Sequence, residues 1–157
     1  MSQKFKTKPI EYDPVYDSAL VSKFVNQILR TGKKNIARKI VYGAFDIIKE
    51  KSKEEPISVF ERAIAEISPS IEVRPRRVGG ATYQVPMEVP AKRGQSLAVR
   101  WIIAAARNKK GKPMAEKIAE ELLAAAKGEG EAIKKKINVH KMAEANRAFA
   151  HLAGRAK

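Results

Sequence analysis

The sequence predicts a mainly α-helical domain, six helices in a bundle-like arrangement, with one protruding β-hairpin and a basic N-terminal extension. Three observations predict it. Apolar residues recur at three- and four-residue intervals in six separate stretches, the period of an amphipathic helix. Around Gly79-Gly80 alone the period drops to two, as in two strands joined by a tight turn. Residues 1–16 carry Lys4, Lys6, Lys8, Pro9 and Pro14 and read as an extended basic tail. The 157 residues, 44% of them hydrophobic, have room for one domain, with residues 1–16 as its extension and 71–90 as a ribbon arm.

Taken in order, Asp17 or Ser18 can cap a first helix. Its stripe is Leu20, Phe24 and Ile28, flanked by Val21, Val25 and Leu29, and Gly32 ends it. A second helix runs from about Lys34, with Ile36, Ile40, Ala44, Ile47 and Ile48 inward. Pro56 opens a third at a position where proline is tolerated, with Ile57, Phe60, Ile64 and Ile67 buried and Ser68-Pro69 closing it. Ile71, Val73 and Pro75 then lead through Arg76-Arg77-Val78 to the glycine turn, and Tyr83, Val85, Met87 and Val89 alternate after it. Pro75 and Pro86 would damage a central strand, but a two-stranded ribbon has two free edges. Such a ribbon is marginal alone and must lean on the helices or on a partner. Tyr83 is expected to pack rather than to stack on a base. A fourth helix starts near Gln95 or Ser96, carries Leu97, Trp101, Ile102, Ala104 and Ala105, and ends in the basic loop 107–112. Pro113 starts a fifth, with Met114, Ile118, Leu122 and Ala125 inward and Gly128 past its end. A sixth begins near Glu131 and runs to about Phe149.

The net charge is +15. Such an excess repels itself, and a polyanion is the natural partner. The excess is concentrated: twelve basic against five acidic side chains in residues 1–53, and ten against two in residues 72–112. Lys33, Lys34, Arg38 and Lys39 crowd the start of the second helix, where the dipole disfavours cations, so an anion is expected to dock there. Arg74, Arg76 and Arg77 on the ribbon, Lys92 and Arg93 after it, and Lys109, Lys110 and Lys112 in the loop extend the pattern. Cations scattered over tail, helix start, ribbon and loop suit recognition of folded RNA by shape and phosphate contact. There is no cysteine, hence no disulfide and no thiolate metal site. No apolar run approaches the roughly 20 residues of a membrane span, and the N-terminus has no signal-like stretch. The expected location is the cytoplasm or an organelle with its own genome, and no membrane partner is expected.

Catalytic chemistry has no constellation to rest on. His140 and His151 are the only histidines and read as surface residues near RNA. Gly32-Lys33-Lys34 lacks the earlier glycine and the following Ser or Thr of a phosphate loop. Glu54-Glu55 and Glu120-Glu121 read as solvated helix charges. No cofactor and no metal are expected. Two rivals to RNA binding by a structural protein deserve weighing. An architectural DNA-binding protein would place an intercalating proline near the ribbon tip, but the tip here is Gly79-Gly80-Ala81. An RNA-processing enzyme would need an acid/base set that is absent.

Arg77-Val-Gly-Gly-Ala-Thr-Tyr-Gln-Val-Pro-Met-Glu-Val89 resembles the ribbon of the bacterial small-subunit ribosomal protein seven family. Lys141-Met-Ala-Glu-Ala-Asn-Arg-Ala-Phe-Ala-His-Leu152 resembles that family's C-terminal helix. Ser18, Leu20, Phe24-Val25, Gly32-Lys33-Lys34 and Ile40-Val41 resemble its N-terminal signature. The resemblance spans residues 11–152. It implies a six-helix domain with a ribbon, a primary binder of small-subunit ribosomal RNA at the 3′ major domain, and nucleation of head assembly. It implies a place at the subunit interface near the exit site, close to exiting tRNA and mRNA, with small-subunit proteins nine and eleven as partners. It places RNA contacts on the tail (Lys4, Lys6, Lys8), Lys33, Lys34, Lys39, Arg74, Arg76, Arg77, Lys92, Arg93, Lys109 and Lys110, and puts Gly79, Gly80, Tyr83 and Arg147 toward tRNA and mRNA. Many members end in an aromatic-Arg-Trp sequence. This chain ends Leu152-Ala-Gly-Arg-Ala-Lys157, so contacts made by that terminal aromatic do not transfer.

Overall fold

The computed structural model describes residues 8–154. The described chain runs α1 (Ala19–Ile28), α2 (Lys34–Ser52), α3 (Pro56–Ile67), β1 (Ile71–Val78), β2 (Ala81–Glu88), α4 (Ala91–Asn108), α5 (Met114–Ala126) and α6 (Glu131–Ala145), then a 3-10 turn over Arg147–Leu152. This is the mainly helical class with one hairpin that the periodicity predicts. Ser18 caps α1, its hydroxyl accepting from the Val21 amide at 3.4 Å. Pro56 occupies the first turn of α3, where its missing N–H costs nothing.

α5 packs against α2, α3 and α4 and is the centre of the bundle. Phe24, Phe45 and Phe60 are wholly buried. Their rings form a chain, Phe24 to Phe60 at 5.2 Å and Phe45 to Phe60 at 5.5 Å between centroids. Each is worth about 1.5–3 kcal/mol of burial. Tyr16 adds an edge-on contact to Phe45 at 5.0 Å. The expected tail therefore closes at its inner end. Residues 8–12 are coil, but Asp13 is buried and accepts from the Val15 and Tyr16 amides and from the Tyr42 hydroxyl at 2.9 Å. Burial and that carboxylate push the Tyr42 phenol up to about 12.

The helices differ from the expected pattern in several places. α6 stops at Ala145, short of Phe149, where the Asn146 side chain donates to the Met142 carbonyl and the 3-10 turn takes over. Ile57 of α3 and Met114 of α5 are only partly covered. In α2 the buried face is Ala37, Val41, Ala44, Phe45 and Ile48, while Ile36 is 53% exposed and Ile40 and Ile47 are only partly covered. The two stripes share Ala44 and Ile48, and the observed one takes Ala37, Val41 and Phe45, each the residue after an expected position and so about 100° on around the helix. Seating Phe45 against Phe60 selects the second. α4 begins at Ala91, a turn before Gln95, because the Pro90 carbonyl accepts from the Arg93 and Gly94 amides. Gly94 is buried there, and a Cβ would meet the Pro69 carbonyl oxygen at 3.4 Å, ordinary contact distance. Ile102 and Ala105 are buried as expected, Leu97 and Trp101 are only partly covered and Ala104 is exposed, and Ala98, Val99, Ile103 and Ala106 are buried in addition.

The ribbon pairs Ile71 with Glu88 through Val78 with Ala81. Gly79 and Gly80 have φ of 59° and 85°, the left-handed pair that a two-residue hairpin turn demands. The ribbon is not bare. α6 lies against β1 and the 3-10 turn against β2. Tyr83 packs on Phe149 with centroids 5.2 Å apart, the packing role expected for it. No ribbon residue belongs to the main hydrophobic core, which is built from the helices.

Glu121 corrects an expectation. It is 1% exposed rather than solvated. One carboxylate oxygen accepts from the Ala132 amide at 2.9 Å, and the other meets Lys109 Nζ at 3.0 Å. It thereby ties the start of α6 and the α4–α5 loop to α5. Gly130 (φ 98°) makes room, since a Cβ there would lie 2.8 Å from the same carboxylate.

Two outcomes follow. Replacing residues 74–88 by a short turn should leave a cooperative helical melt by circular dichroism; its loss would make the ribbon part of the core. Glu121→Ala should cost about 2–3 kcal/mol, because a buried amide loses its charged acceptor. The readout is a lower urea midpoint at unchanged slope.

Candidate RNA interface

The first cation group lies at the α1–α2 turn. Thr31 and Gly32 take left-handed φ of 54° and 74° and deliver the chain to Lys33, the residue before α2. No side chain caps α2, and no acidic residue occupies its first turn. The outward amides and the positive end of the dipole add to Lys33, Lys34, Arg38 and Lys39. Lys33 and Lys39 are exposed; Lys34 and Arg38 are half-buried along their stems.

The second group surrounds Glu72, which the sequence does not single out. This carboxylate is 8% exposed. Arg93 of α4 donates to both its oxygens, Nε at 2.7 Å and Nη2 at 3.0 Å, and Arg74 of β1 donates from Nε at 2.6 Å. The Arg93 hydrogen bonds, aided by those from Arg74 and opposed by burial, hold the Glu72 carboxyl below its ordinary value. One anion thus fixes two expected RNA-binding guanidiniums at the ribbon base and joins β1 to α4. Further along, Arg76 reaches the Met87 sulfur at 4.0 Å. Arg77 and Lys92 are exposed.

The third group is the α4–α5 loop. Its lysines are not equivalent. Lys109 reaches Glu121 at 3.0 Å and Glu120 at 3.9 Å, and Lys112 pairs with Glu120. Lys112 first, and Lys109 less, hold the Glu120 carboxyl below its ordinary range. Lys110 is exposed and has no carboxylate partner among the described residues.

α4 connects these groups. Arg93, Arg100 and Arg107 are exposed and seven residues apart, nearly two helical turns, so they share a face with only about 20° of drift per step and roughly 10 Å of rise. Arg107 lines one groove with Arg30, Lys33 and Ile36. Lys23 of α1 lines another with Gln95, Ser96 and Ile10. The α4 stripe therefore ends beside the α2 start, and Lys23 of α1 lies beside the first turns of α4. Arg30, Arg100 and Arg107 are absent from the sequence-derived set; the seven-residue spacing was the available signal for the last two. Of the expected tail cations, Lys8 is exposed, and Lys4 and Lys6 lie outside the described residues.

Gly79 and Gly80 form the exposed ribbon tip. Arg147 is exposed and 3.4 Å from Glu144. His140 is more than a surface residue: its Nε2 accepts from the Ser70 amide at 3.3 Å, and burial, then Lys136, lowers its pKa. No group of three or more metal-ligating side chains occurs among the described residues. No described helix is long and apolar enough to cross a membrane.

The Glu72 linkage has a defined sign. A carboxyl lowered by folding contributes stability that is complete above its ordinary value of 4.5 and is lost as pH falls through the lowered folded value. Glu72→Gln should therefore be less stable than the parent at about pH 6, and the gap should narrow toward about pH 3.5. Urea midpoints at the two pH values check this. A gap independent of pH would remove the ion pairs as its cause.

The family described as ribosomal protein S7p/S5e matches residues 1–147. The small ribosomal subunit protein uS7 of Thermotoga neapolitana is 60% identical over 149 residues, covering 95% of this chain and 96% of the relative. Its counterpart in Dictyoglomus turgidum is 59% identical over 144 residues, 92% of each chain. That of Fervidobacterium nodosum is 57% identical over 149 residues, 95% of this chain and 96% of the relative. These names describe a structural component of ribosomes and not an enzyme. With the helical bundle, the ribbon and the basic surface agreeing, the chain belongs to the ribosomal protein S7p/S5e family.

Proposed function

We propose that this protein is a primary binder of small-subunit ribosomal RNA, docking on the 3′ major domain and nucleating assembly of the subunit head. The observation that carries this reading is the Arg93–Arg100–Arg107 stripe, continuous at one end with the Glu72-held ribbon base and at the other with the uncapped start of α2. A rigid line of cations of this kind matches phosphates at fixed spacing on a folded RNA, and needs no base sequence to do so. The resemblance of the ribbon and C-terminal segments supports a position at the subunit interface near the exit site. There the ribbon tip at Gly79-Gly80 and the region of Tyr83 and Arg147 face tRNA and mRNA, and small-subunit proteins nine and eleven are neighbours. The place of work on this reading is the ribosome in the cytoplasm.

If the surface neutralises roughly 6–10 phosphates, affinity for a 3′ major-domain fragment should fall about 10³–10⁵-fold between 50 and 200 mM salt. Arg100→Gln should weaken binding and reduce the slope of log affinity against log salt by about one. Filter binding across salt concentrations, with duplex DNA of equal charge as comparator, reads both. A nearly flat slope, or equal affinity for the duplex, would reject the reading.

A further inference from the structure

Ile36 does not belong where it sits on a simple account of folding. Among the described residues it is the only large hydrophobic of α1 to α5 that stands substantially exposed, at 53%. It opens into a groove of about 320 Å³ between the α1–α2 turn and the facing ends of α4 and α5. Ile40 and Met114 continue its floor, and Arg30, Lys33 and Arg107 line its rim. No acidic residue lines it. None of the three rim cations has a carboxylate partner among the described residues, unlike Arg74, Arg93, Lys109 and Lys112. The volume lies at the low end of the range for small-ligand sites.

We propose that this groove receives one unstacked nucleobase of the RNA, its face against Ile36, Ile40 and Met114 and its flanking phosphates on Arg30, Lys33 and Arg107. The inference rests on the RNA-binding reading and adds to it a base-holding site. The complementarity is of two kinds at once. Bare phosphate would satisfy the rim but leave the apolar floor wet. An uncharged apolar segment would cover the floor but strand three cations. A nucleotide extruded from a loop or junction presents a flat apolar face with an anion on each side, and an arginine plane can stack on the same base. The site is distinct from the α4 stripe in how it would contribute. Its floor acts through contact area and excludes water, so its share of affinity is insensitive to salt, whereas the stripe's share is not.

The experiment uses the full chain and the 3′ major-domain fragment. Ile36→Ser should weaken binding about tenfold, with the salt slope and the melting temperature unchanged; Ile36→Met should restore it. Lys33→Gln should weaken binding and lower the slope by about one. In a scan of abasic substitutions at unpaired positions of the RNA, one position should weaken the parent protein and have no further effect on Ile36→Ser. Parental affinity in Ile36→Ser, or an affinity loss that couples to no base, overturns the base site while leaving the RNA-binding reading in place. Failure of the parent protein to bind the fragment at all removes both. Normal RNA affinity with impaired assembly in Ile36→Ser would assign the groove to a protein neighbour and reject the proposal.

Discussion

Glu72 carries one charge and resolves two problems. The ribbon is marginal as an isolated unit, and no ribbon residue enters the main core. It leans on α6 and, through Tyr83 and Phe149, on the 3-10 turn; at its base it is also joined to α4, where Arg93 meets the almost buried carboxylate that Arg74 of β1 shares. Removing that carboxylate from water has a desolvation cost, which the two guanidiniums offset through several charge-assisted hydrogen bonds. The same contact fixes the side chains most concerned with a polyanion. An arginine free to rotate loses up to roughly 2 kcal/mol of conformational entropy when it is ordered. Arg74 and Arg93 have already lost part of it.

Glu121 plays the corresponding role at the other end of α4. It is buried on α5, holds Lys109 and accepts from the first turn of α6. Its Lys109 contact restrains the loop carrying Lys110 and Lys112. With Glu120, which holds Lys112, these carboxylates divide the interface cations into a pinned set and a free set. The pinned set defines geometry at the cost of partly cancelled charge. The free set, which includes Arg30, Lys33, Arg100, Arg107 and Lys110, has no carboxylate among the described residues competing for its charge.

Much of the fold was legible because it rests on period. Six helical stretches, one glycine-centred hairpin and helix starts at Pro56 and beside Pro113 all follow from local rules. What was not legible depended on tertiary choice. In α2 the period yields Ala44 and Ile48, but Phe45 turns inward because the rings of Phe60 and Tyr16, both outside this helix, receive it. The apolar period of α4 becomes visible only near Gln95, because its first turn, Ala91–Gly94, carries little side-chain signal and is set by backbone bonds to the Pro90 carbonyl. Of the interface, the cation clusters were visible as composition. Their partners were not. Glu72 counted only as one acid in a basic block, and Glu120-Glu121 resembled an exposed pair, because burial of a charge depends on neighbours distant in sequence.

The contrast between cation groups bears on how an RNA would be held. Arg74, Arg93, Lys109 and Lys112 each have a carboxylate competing with any phosphate. A phosphate approaching them gains less than it would from an unpaired cation, but it meets a donor already in position. At the start of α2 the situation is reversed: there is no acidic residue and no side-chain cap, so the helix end remains incompletely satisfied. The Lys34 amide already reaches the Gly32 carbonyl at 3.0 Å, so an anion would meet the rest of the first turn. A surface that combines rigid, partly neutralised donors with an unsatisfied helix end discriminates by geometry more than by total charge. A flexible polyanion can meet the free cations one by one, but only an RNA already folded to the right spacing can engage both kinds together without distorting either the ribbon base or the α4–α5 loop.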